Sequence, residues 1–393
     1  MHLFFSVGEP SGDQHAAHLI TELRKRHPDL HVSGFGGEHM EAVGLESLYR
    51  LTNMAVMGFV AVFPLLWRFI KLAKKAETFL NERRPDAVIL VDFPGFNWSI
   101  ARRAKAAGIP VFYYLPPQLW AWCPWRVKRV QRWVDHVIST LPFERDWYSK
   151  HGVQVEYVGH PFFDDVATRP LDARFVETWS QSSAPVVAIL PGSRNHEIAH
   201  NWPVQVEIIK RLHARHPKTQ FLVACYKDSH RRSCESHMLA HVPTLPIHFF
   251  VGRTSEIIET ADCALMVSGS VSLEVLARKT PAVVLYHTNW PNYVLGKLLV
   301  VIKYMSLPNL IADRLVMPEF LSVGNFQPTV AEIVQILDLW LRVPAERARA
   351  LAAMNEAVGD FQATGATLRA ADFISKKLGH ADQTAEERTA RAA

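Results

Sequence analysis

The stretch Ala188-Ile-Leu-Pro-Gly-Ser-Arg-Asn-His-Glu-Ile198 joins a buried strand to the start of a helix. The β-branched run Val186–Leu190 predicts a strand that is covered on both faces of its sheet. Apolar residues then recur on one helical face from Ile198 to Leu212. The strand, the Pro191-Gly192 break and the helix together predict an α/β fold with a parallel sheet.

The turn inside this stretch is suited to an anion. Backbone N–H groups at a helix start lack intrahelical partners, and the helix dipole there favours negative charge. Arg194 adds a planar set of donors that matches phosphate oxygens. The alternative is an ordinary turn with a surface arginine. With that alternative open, we expect Gly192, Ser193 and Arg194 to contact a phosphate-bearing ligand.

The composition is typical of a globular protein of two domains. The chain has 393 residues, of which 49% are hydrophobic and 21% are charged. Its net charge of +5 is dispersed, which favours nucleotides or an anionic lipid surface as partners over nucleic acid. Four cysteines form no C-x-x-C pair, so we expect reduced thiols, no metal site and a cytoplasmic location.

Strands alternate with helices in both halves of the chain, which predicts two parallel sheets. The polar stretch 165–184 is expected to be irregular and to mark the domain boundary. We therefore predict domains at 1–175 and 185–360, followed by a tail at 361–393. The N-terminus lacks the features of a signal peptide, and no apolar run is long enough to predict a spanning helix.

Two loops of the N-terminal half follow predicted strands, where α/β sheets bind ligands. The first, Gly8-Glu-Pro-Ser-Gly-Asp13, contains small residues that allow a polar sugar to approach. Its alternative is structural, with Ser11 or Asp13 capping the next helix. The second loop begins at Asp92, which is placed either as a catalytic carboxylate or as a helix cap.

Two apolar stretches suggest contact with lipid. Residues 55–75 are rich in aromatic and aliphatic side chains and are edged by Arg68 and three lysines. This suits an anionic membrane surface or acyl chains, and the alternative is a buried crossover helix. Three tryptophans between Trp120 and Trp125 offer flat apolar faces to sugars or acyl chains.

The C-terminal half contains a second small-residue turn at a strand end, Ser268-Gly-Ser270. Its backbone N–H groups are placed to reach a diphosphate. Glu274 either accepts hydrogen bonds from ribose hydroxyls or is an exposed glutamate of an amphipathic helix. Asn309 follows a proline, which would aim its amide at a ligand.

With these motifs in place, the sequence resembles the lipid-A-disaccharide synthase family over residues 3–321. Several of the motifs are specific to that family and occur in its order. They are Gly8-Glu-Pro-Ser-Gly-Asp13, Ala55-Val-Met-Gly58, Val91-Asp-Phe-Pro-Gly-Phe-Asn97, Trp120-Ala-Trp122, Leu141-Pro-Phe-Glu144, Gly159-His-Pro161, Leu190-Pro-Gly-Ser-Arg194 with Glu197, Ser268-Gly-Ser270 with Glu274, and Ser306-Leu-Pro-Asn309.

The resemblance implies two Rossmann-like domains facing across a cleft, the GT-B arrangement. It implies an inverting hexosyltransferase that moves 2,3-diacylglucosamine from its UDP derivative to 2,3-diacylglucosamine 1-phosphate, giving the β-1,6 disaccharide 1-phosphate and UDP. No metal and no cofactor are implied. The last helices are expected to return to the N-terminal domain. The implied location is the inner face of the inner membrane of a Gram-negative cell, held peripherally, and a homodimer is a candidate assembly.

Combined with the chemistry of the residues, the resemblance predicts a set of roles. Asp92 is the predicted base, with Glu9 as the second choice and Asn309 contacting the donor near its phosphates or sugar. The predicted UDP contacts are Gly192, Ser193, Arg194, Glu197, Ser268, Gly269, Ser270 and Glu274. The predicted acceptor and acyl contacts are Ser11, Met57, Phe59, Trp120 and Trp122.

Two rival functions use the same scaffold. One is a UDP-N-acetylglucosamine epimerase, which would need no lipid-facing surface. The other is a membrane-associated nucleotide-sugar sensor without catalysis, against which the joint presence of Asp92, Glu9, Arg194 and Asn309 argues.

Overall fold

The computed structural model describes residues 1–54, 66–242 and 244–392, which divide into two compact units. The first unit contains Met1–Asp164 together with Ala363–Ala393, and the second contains Asp165–Gln362. Each unit is built around one parallel sheet with helices between its strands, so the predicted α/β class is confirmed.

The sheet of the first unit has seven strands in the order β3-β2-β1-β4-β5-β6-β7, all parallel. Strand order reverses between β1 and β4, where Leu3 pairs with Val32 on one side and with Ala87 on the other. Such a reversal leaves room for a ligand at the carboxyl ends of the two strands. The strands are β1 His2–Val7, β2 His31–Gly36, β3 Glu46–Arg50, β4 Ala87–Val91, β5 Val111–Tyr114, β6 His136–Ser139 and β7 Val155–Tyr157.

The sheet of the second unit has six parallel strands in the order β10-β9-β8-β11-β12-β13. Its strand order reverses between β8 and β11, which pair directly through Ala188 and Ala264. The strands are β8 Val186–Leu190, β9 Gln220–Cys225, β10 Ile247–Val251, β11 Cys263–Val267, β12 Ala282–Thr288 and β13 Glu319–Val323.

Helices cover the faces of both sheets. Those of the first unit are Pro10–Arg26, Glu38–Ala42, Leu66–Arg83, Pro94–Ala106, Val127–Trp133, Pro142–Lys150 and Ala366–Ala392, with single 3-10 turns at Leu51–Met54 and Pro124–Arg126. The helix Pro161–Thr168 contains the boundary between the units. Those of the second unit are Ala173–Ser180, Asn195–Arg215, Asp228–His241, Thr254–Thr260, Val271–Ala277, Trp290–Leu299, Leu307–Ala312, Gln327–Arg342 and Pro344–Val358, with a 3-10 turn at Gly359–Gln362.

The sheet of the first unit separates two apolar cores. Leu3, Phe5 and Val7 alternate with Phe4 along β1, so they point to opposite faces of the sheet. All four side chains are fully buried, which explains why the predicted strand is apolar at every position rather than at every second one.

The C-terminal helix Ala366–Ala392 closes one of these cores. Its Ala370 and Ile374 are fully buried in the same cluster as Leu19 of the helix Pro10–Arg26. The Arg26 Nε donates to the Asp372 Oδ1 at 2.6 Å on the edge of this contact. The tail of the chain therefore belongs to the first unit.

Two features of the structure differ from what the sequence predicted. The stretch 165–184, predicted to be irregular, contains the end of one helix and the helix Ala173–Ser180. The edge strands β3 and β13 went unpredicted because neither has a clear apolar pattern, and in β3 four of the five residues are exposed. Within the described part of the chain, no helix combines the length and apolar character that crossing a membrane requires.

Candidate functional site

Four of the predicted site loops or residues follow the strands at which strand order reverses, whereas Asn309, Trp120 and Trp122 follow other strands. In the first unit, the loop Gly8–Asp13 follows β1 and Asp92 follows β4 directly. In the second unit, Gly192–Glu197 follows β8 and Ser268–Glu274 follows β11. Because the strands in each pair are parallel neighbours, their loops emerge at one edge of the sheet.

The backbone at Asp92 is held in an unusual conformation. Asp92 and Phe93 have φ angles of 44° and 47°, the left-handed region that favours glycine. Such backbone costs about 1–3 kcal/mol at each residue and persists only where its surroundings enforce it. Here the carbonyl oxygen of Asp92 accepts hydrogen bonds from the Asn97 Nδ2 at 2.7 Å and the Tyr113 hydroxyl at 2.8 Å. The hydrogen bonds from Asn97 and Tyr113 thus fix the backbone of Asp92, whose side chain is half-buried.

Asn97 links the two strands at this reversal. It is fully buried, its Oδ1 accepts from the Ser6 hydroxyl at 2.7 Å, and its Nδ2 donates to the Ser6 carbonyl at 3.1 Å. No role was predicted for Asn97 or Tyr113, although Asn97 ends the motif that contains Asp92. The strand positions of Ser6 and Tyr113 were the available signal, since buried polar groups in strands need partners.

The loop after β1 packs closely on the loop after β4. A Cβ atom at Gly8 would lie 2.3 Å from the Phe93 ring, so no larger residue fits there without movement. Glu9 is the N-cap residue of the helix and Ser11 is exposed, so neither Ser11 nor Asp13 occupies the predicted capping position.

Asp13 instead holds a different turn. Its buried carboxylate accepts hydrogen bonds from the amides of Gly37 at 2.7 Å and His39 at 2.9 Å, at the start of the helix Glu38–Ala42. Glu9 is half-buried and Ser11 lies at the surface, so both side chains remain within reach of a ligand at this edge.

Trp120 does not have the environment predicted for an acyl contact. It is 8% exposed, its ring packs edge-on against Phe143, and its indole N–H donates to the Glu144 Oε1 at 3.0 Å. Little of this side chain is therefore open to an acyl chain, and the predicted acyl contact of Trp120 stays a prediction. Trp122 and Trp125 carry the exposed aromatic surface of the loop, at 37% and 65%.

Glu144 is a buried carboxyl group that sequence reasoning missed. It is 1% exposed, and its Oε2 has no hydrogen-bond partner among the described residues. Burial raises the pKa of Glu144 from 4.5 to about 8, with a smaller contribution from the charge of Asp92, while the Trp120 bond opposes the rise. The motif Leu141-Pro-Phe-Glu144 after β6 was the only available signal.

The predicted lipid-facing stretch is described only in part. Met57 and Phe59 lie outside the described residues. The helix Leu66–Arg83 presents Leu66, Trp67 and Ile70 to solvent at 47%, 75% and 48% exposure. Its other large apolar side chains pack in the core of the first unit. One face of this helix is therefore buried, as in the crossover-helix alternative, and the opposite face exposes apolar side chains, as expected of a lipid contact.

In the second unit, Glu197 fills the predicted anion site. Its Oε2 accepts from the backbone amides of Ser193 at 3.0 Å and Arg194 at 3.2 Å, and its Oε1 accepts from the Arg194 Nη1 at 2.7 Å. A Cβ at Gly192, whose φ is 113°, would lie 2.7 Å from the same carboxylate. In this structure a carboxylate of the chain accepts the hydrogen bonds of the Ser193 and Arg194 amides, and the phosphate contact of this turn stays a prediction.

Arg194 retains the capacity to bind an anion. Its side chain is 45% exposed, and only its Nη1 is used by Glu197 within the described residues. The other edge of the guanidinium is a planar donor surface at the carboxyl end of β8. Arginine, rather than the loop amides, is therefore the group at this turn that can meet a phosphate.

The turn Ser268–Ser270 is open to a ligand. Gly269 and Ser270 are exposed, and a Cβ at Gly269 would meet no atom within 4 Å. The Ser268 hydroxyl donates to the Met305 carbonyl at 2.6 Å, which ties this turn to the loop that contains Asn309.

Glu274 is buried, which excludes the exposed alternative. It is 3% exposed, and its Oε1 accepts from the Ser255 hydroxyl at 2.5 Å and the Arg278 Nε at 3.1 Å. Arg169 lies 3.8 Å from the same oxygen. These contacts all use the Oε1 oxygen, and the ribose contact of Glu274 stays a prediction.

Asn309 has no hydrogen-bonding capacity left for a ligand. Its Nδ2 donates to the Met317 carbonyl at 2.8 Å and to the Glu319 Oε2 at 2.9 Å. Its Oδ1 accepts from the amides of Val316 at 2.7 Å and Met317 at 2.8 Å. An amide side chain offers two donors and two lone pairs, and all four are used. These four bonds give Asn309 a structural role in shaping the loop, and its predicted contact with the donor stays a prediction.

No group of three or more His, Cys, Asp or Glu side chains is arranged to hold a metal ion in residues 1–54, 66–242 and 244–392. All four cysteines are free thiols, and three of them are buried, namely Cys225, Cys234 and Cys263.

Comparison with known proteins identifies relatives over most of the chain. Residues 3–339 match the family model described as lipid-A-disaccharide synthetase. The lipid-A-disaccharide synthase of Myxococcus xanthus strain DK1622 is 37% identical over 373 residues, which covers 95% of this chain and 96% of that protein.

Solved structures with the same architecture are more distant in sequence. The UDP co-structure of MnaA from S. aureus has a TM-score of 0.66 at 11% identity and covers 96% of each chain. The calicheamicin glycosyltransferase CalG4 has a TM-score of 0.59 at 14% identity and covers 97% of this chain and 98% of that one. At this level of identity the similarity concerns the fold, which is the GT-B fold predicted from the sequence.

Proposed function

The chain belongs to the lipid-A-disaccharide synthetase family of glycosyltransferases, and from that premise we propose its substrates and the residues that act on them. It moves 2,3-diacylglucosamine from UDP to 2,3-diacylglucosamine 1-phosphate and forms the β-1,6 disaccharide 1-phosphate. The observation that carries this proposal is the placement of Asp92 and Arg194. Each follows a central strand at the reversal of strand order in its unit, where such sheets bind ligands.

Asp92 acts as the general base. The acceptor hydroxyl must lose its proton as it attacks the anomeric carbon, and a positioned carboxylate typically accelerates such a step ~10²–10⁴-fold. The strained backbone at Asp92, fixed by Asn97 and Tyr113, supports this role because catalytic side chains need a rigid mount. Glu9, half-buried at the neighbouring strand end, is the second choice and orients a sugar hydroxyl.

The second unit binds the UDP moiety. The open edge of Arg194 meets the diphosphate and stabilises its departure, and the exposed turn Ser268–Ser270 contacts the same group. Glu274 receives the ribose hydroxyls through its second oxygen. Glu197 acts indirectly, because it fixes the backbone and the guanidinium of Arg194.

The first unit meets the lipid. Leu66, Trp67 and Ile70 are exposed beside Arg68 and Lys71, a pattern that suits an anionic membrane surface. We propose that the protein attaches in this way to the inner face of the inner membrane, where its acylated substrates reside, and that the exposed Trp122 contacts acyl chains. A homodimer stays a proposal without support from these contacts.

The test is an assay of transfer with a variant at the proposed base. Wild-type protein, D92N and D86N are incubated with UDP-2,3-diacylglucosamine and 2,3-diacylglucosamine 1-phosphate, and the lipid product is identified by mass spectrometry. Asp86 is the matched control because it is exposed just before the opposite end of β4, where it bonds the His2 amide. D92N is expected to lose at least ~10²-fold in turnover and to keep its affinity for UDP, whereas D86N keeps turnover.

Three results would contradict the proposal. Turnover of D92N near the wild-type level would remove Asp92 as the base. Absence of disaccharide with wild-type protein, together with conversion of UDP-N-acetylglucosamine in the absence of acceptor, would favour the epimerase. Affinity for UDP-sugar without either reaction would favour the sensor.

A further inference from the structure

Arg126 is half-buried, and two of its three guanidinium nitrogens are buried without a hydrogen-bond partner among the described residues. Its Nε and Nη2 have no acceptor among the residues that the structure describes. Buried polar groups in folded proteins nearly always have partners, and an unpaired charged donor is more costly than a neutral one. A guanidinium kept in this state points to an anion that completes it when bound.

The loop around Arg126 holds the guanidinium in place. Arg126 is the last residue of the 3-10 turn Pro124–Arg126. Cys123, just before this turn, has a φ of 56°. The Arg126 Cζ lies 4.5 Å from the centre of the Trp122 ring. This cation–π contact holds the guanidinium against the ring, while the Nε and Nη2 donors on its edge remain without an acceptor among the described residues.

Arg126 and the proposed base both act electrostatically on Tyr113. Burial raises the pKa of the Tyr113 hydroxyl well above its usual range, the charge of Asp92 raises it further, and the charge of Arg126 opposes the rise. That hydroxyl donates to the Asp92 carbonyl at 2.8 Å. The charges of the Arg126 guanidinium and of Asp92 therefore affect the pKa of the same Tyr113 hydroxyl in the first unit.

We propose that Arg126 binds the phosphate on C1 of the acceptor sugar and so selects a phosphorylated acceptor. This inference rests on the proposed function, in which Asp92 activates the acceptor hydroxyl. The acceptor has two functional ends, a hydroxyl that is deprotonated and a phosphate that is not changed. A planar guanidinium edge binds a phosphate through two parallel N–H···O bonds, which fixes the orientation of the sugar as well as its affinity. Arg126 is thus a specificity-determining residue rather than a participant in bond making.

The experiment compares two acceptors that differ only in this phosphate. Wild-type protein, R126A, R126K and R129A are assayed with 2,3-diacylglucosamine 1-phosphate and with the same lipid lacking the phosphate. Kcat/KM is measured for both acceptors and KM for the donor. Arg129 is the matched control because it is an exposed arginine on the following helix. R126Q replaces R126A if thermal unfolding shows that the alanine variant is not folded.

We expect R126A to lose roughly 10- to 100-fold in kcat/KM with the phosphorylated acceptor and little with the other. R126K recovers only part of the loss, since an ammonium lacks the paired donors. R129A retains the wild-type preference. An equal loss on both acceptors, a change confined to the donor KM, or a wild-type enzyme that does not distinguish the acceptors would overturn the inference. Absence of transfer by wild-type protein with either acceptor would instead refute the proposed function.

Discussion

Replacing Glu144 by glutamine should change how the stability of the protein depends on pH. In the folded chain this carboxyl is buried against Trp120, and its pKa is raised to about 8. In the unfolded chain it titrates near 4.5. Between these two values the folded state holds a proton that the unfolded state has released. Raising the pH through that range therefore destabilises the folded protein.

The size of the effect follows from the two pKa values. One pKa unit corresponds to about 1.4 kcal/mol, so the full difference between 4.5 and about 8 is about 5 kcal/mol. Between pH 5.5 and 7.5 the loss is about 3 kcal/mol. For a domain of 150–250 residues, 1 kcal/mol changes Tm by about 2–4 °C, so the expected loss over this range is roughly 6–12 °C.

The assay is calorimetry of wild-type protein, E144Q and E156Q from pH 5.5 to 9. Glutamine keeps an oxygen that can accept from the Trp120 indole and does not titrate, so the Tm of E144Q relative to wild type should rise with pH. Glu156 is the control, since it is exposed on β7 and its replacement should leave a constant difference. Parallel pH profiles of wild type and E144Q would refute the argument from burial.

Two further predictions concern the other loops and the surface. G192A should be destabilised by at least about 1–3 kcal/mol in urea unfolding, because its φ of 113° disfavours a side chain and its Cβ would meet the Glu197 carboxylate at 2.7 Å. G269A, where a Cβ has open space, should stay within about 0.5 kcal/mol, and equal effects would contradict the reasoning. The double variant W67S/I70S should bind vesicles with anionic lipid roughly tenfold more weakly or worse. Y226S/L239S removes exposed apolar side chains of the second unit as a control, and an equal loss there would remove the assignment to the helix Leu66–Arg83.

The central strands were predictable because their physical signal is local. β8 spans Val186–Leu190 as predicted, and its five residues are buried and apolar. The helix Ala173–Ser180 was missed although Phe175, Val176 and Trp179 form an apolar stripe, because its eight residues are too few for the pattern to stand out within a polar stretch. The edge strand β3 was missed because four of its five residues are exposed.

The site was predictable to the level of loops but not of individual partners. The predicted strands placed Asp92 and Arg194 just after strand ends. In a parallel sheet, the loops that follow neighbouring strands lie at the same edge, so the position of each loop was predictable. Whether a polar side chain faces a ligand or another residue depends on contacts from distant positions. Asn309 meets Glu319 ten residues away, and Asp13 meets amides 24 or more residues away. No spacing rule in a single sequence encodes such pairings.

The turn after β8 shows how a local motif can have two outcomes. Its free amides and its arginine are both suited to a phosphate, but a glutamate three residues later reaches back to the same amides. A carboxylate inside the chain is always present, whereas a substrate is not, so the intramolecular bonds form first. The negative charge of Glu197 would repel a diphosphate placed on those amides. We therefore expect recognition of the donor at this turn to rest on the guanidinium of Arg194, which is 45% exposed and which Glu197 contacts through one nitrogen.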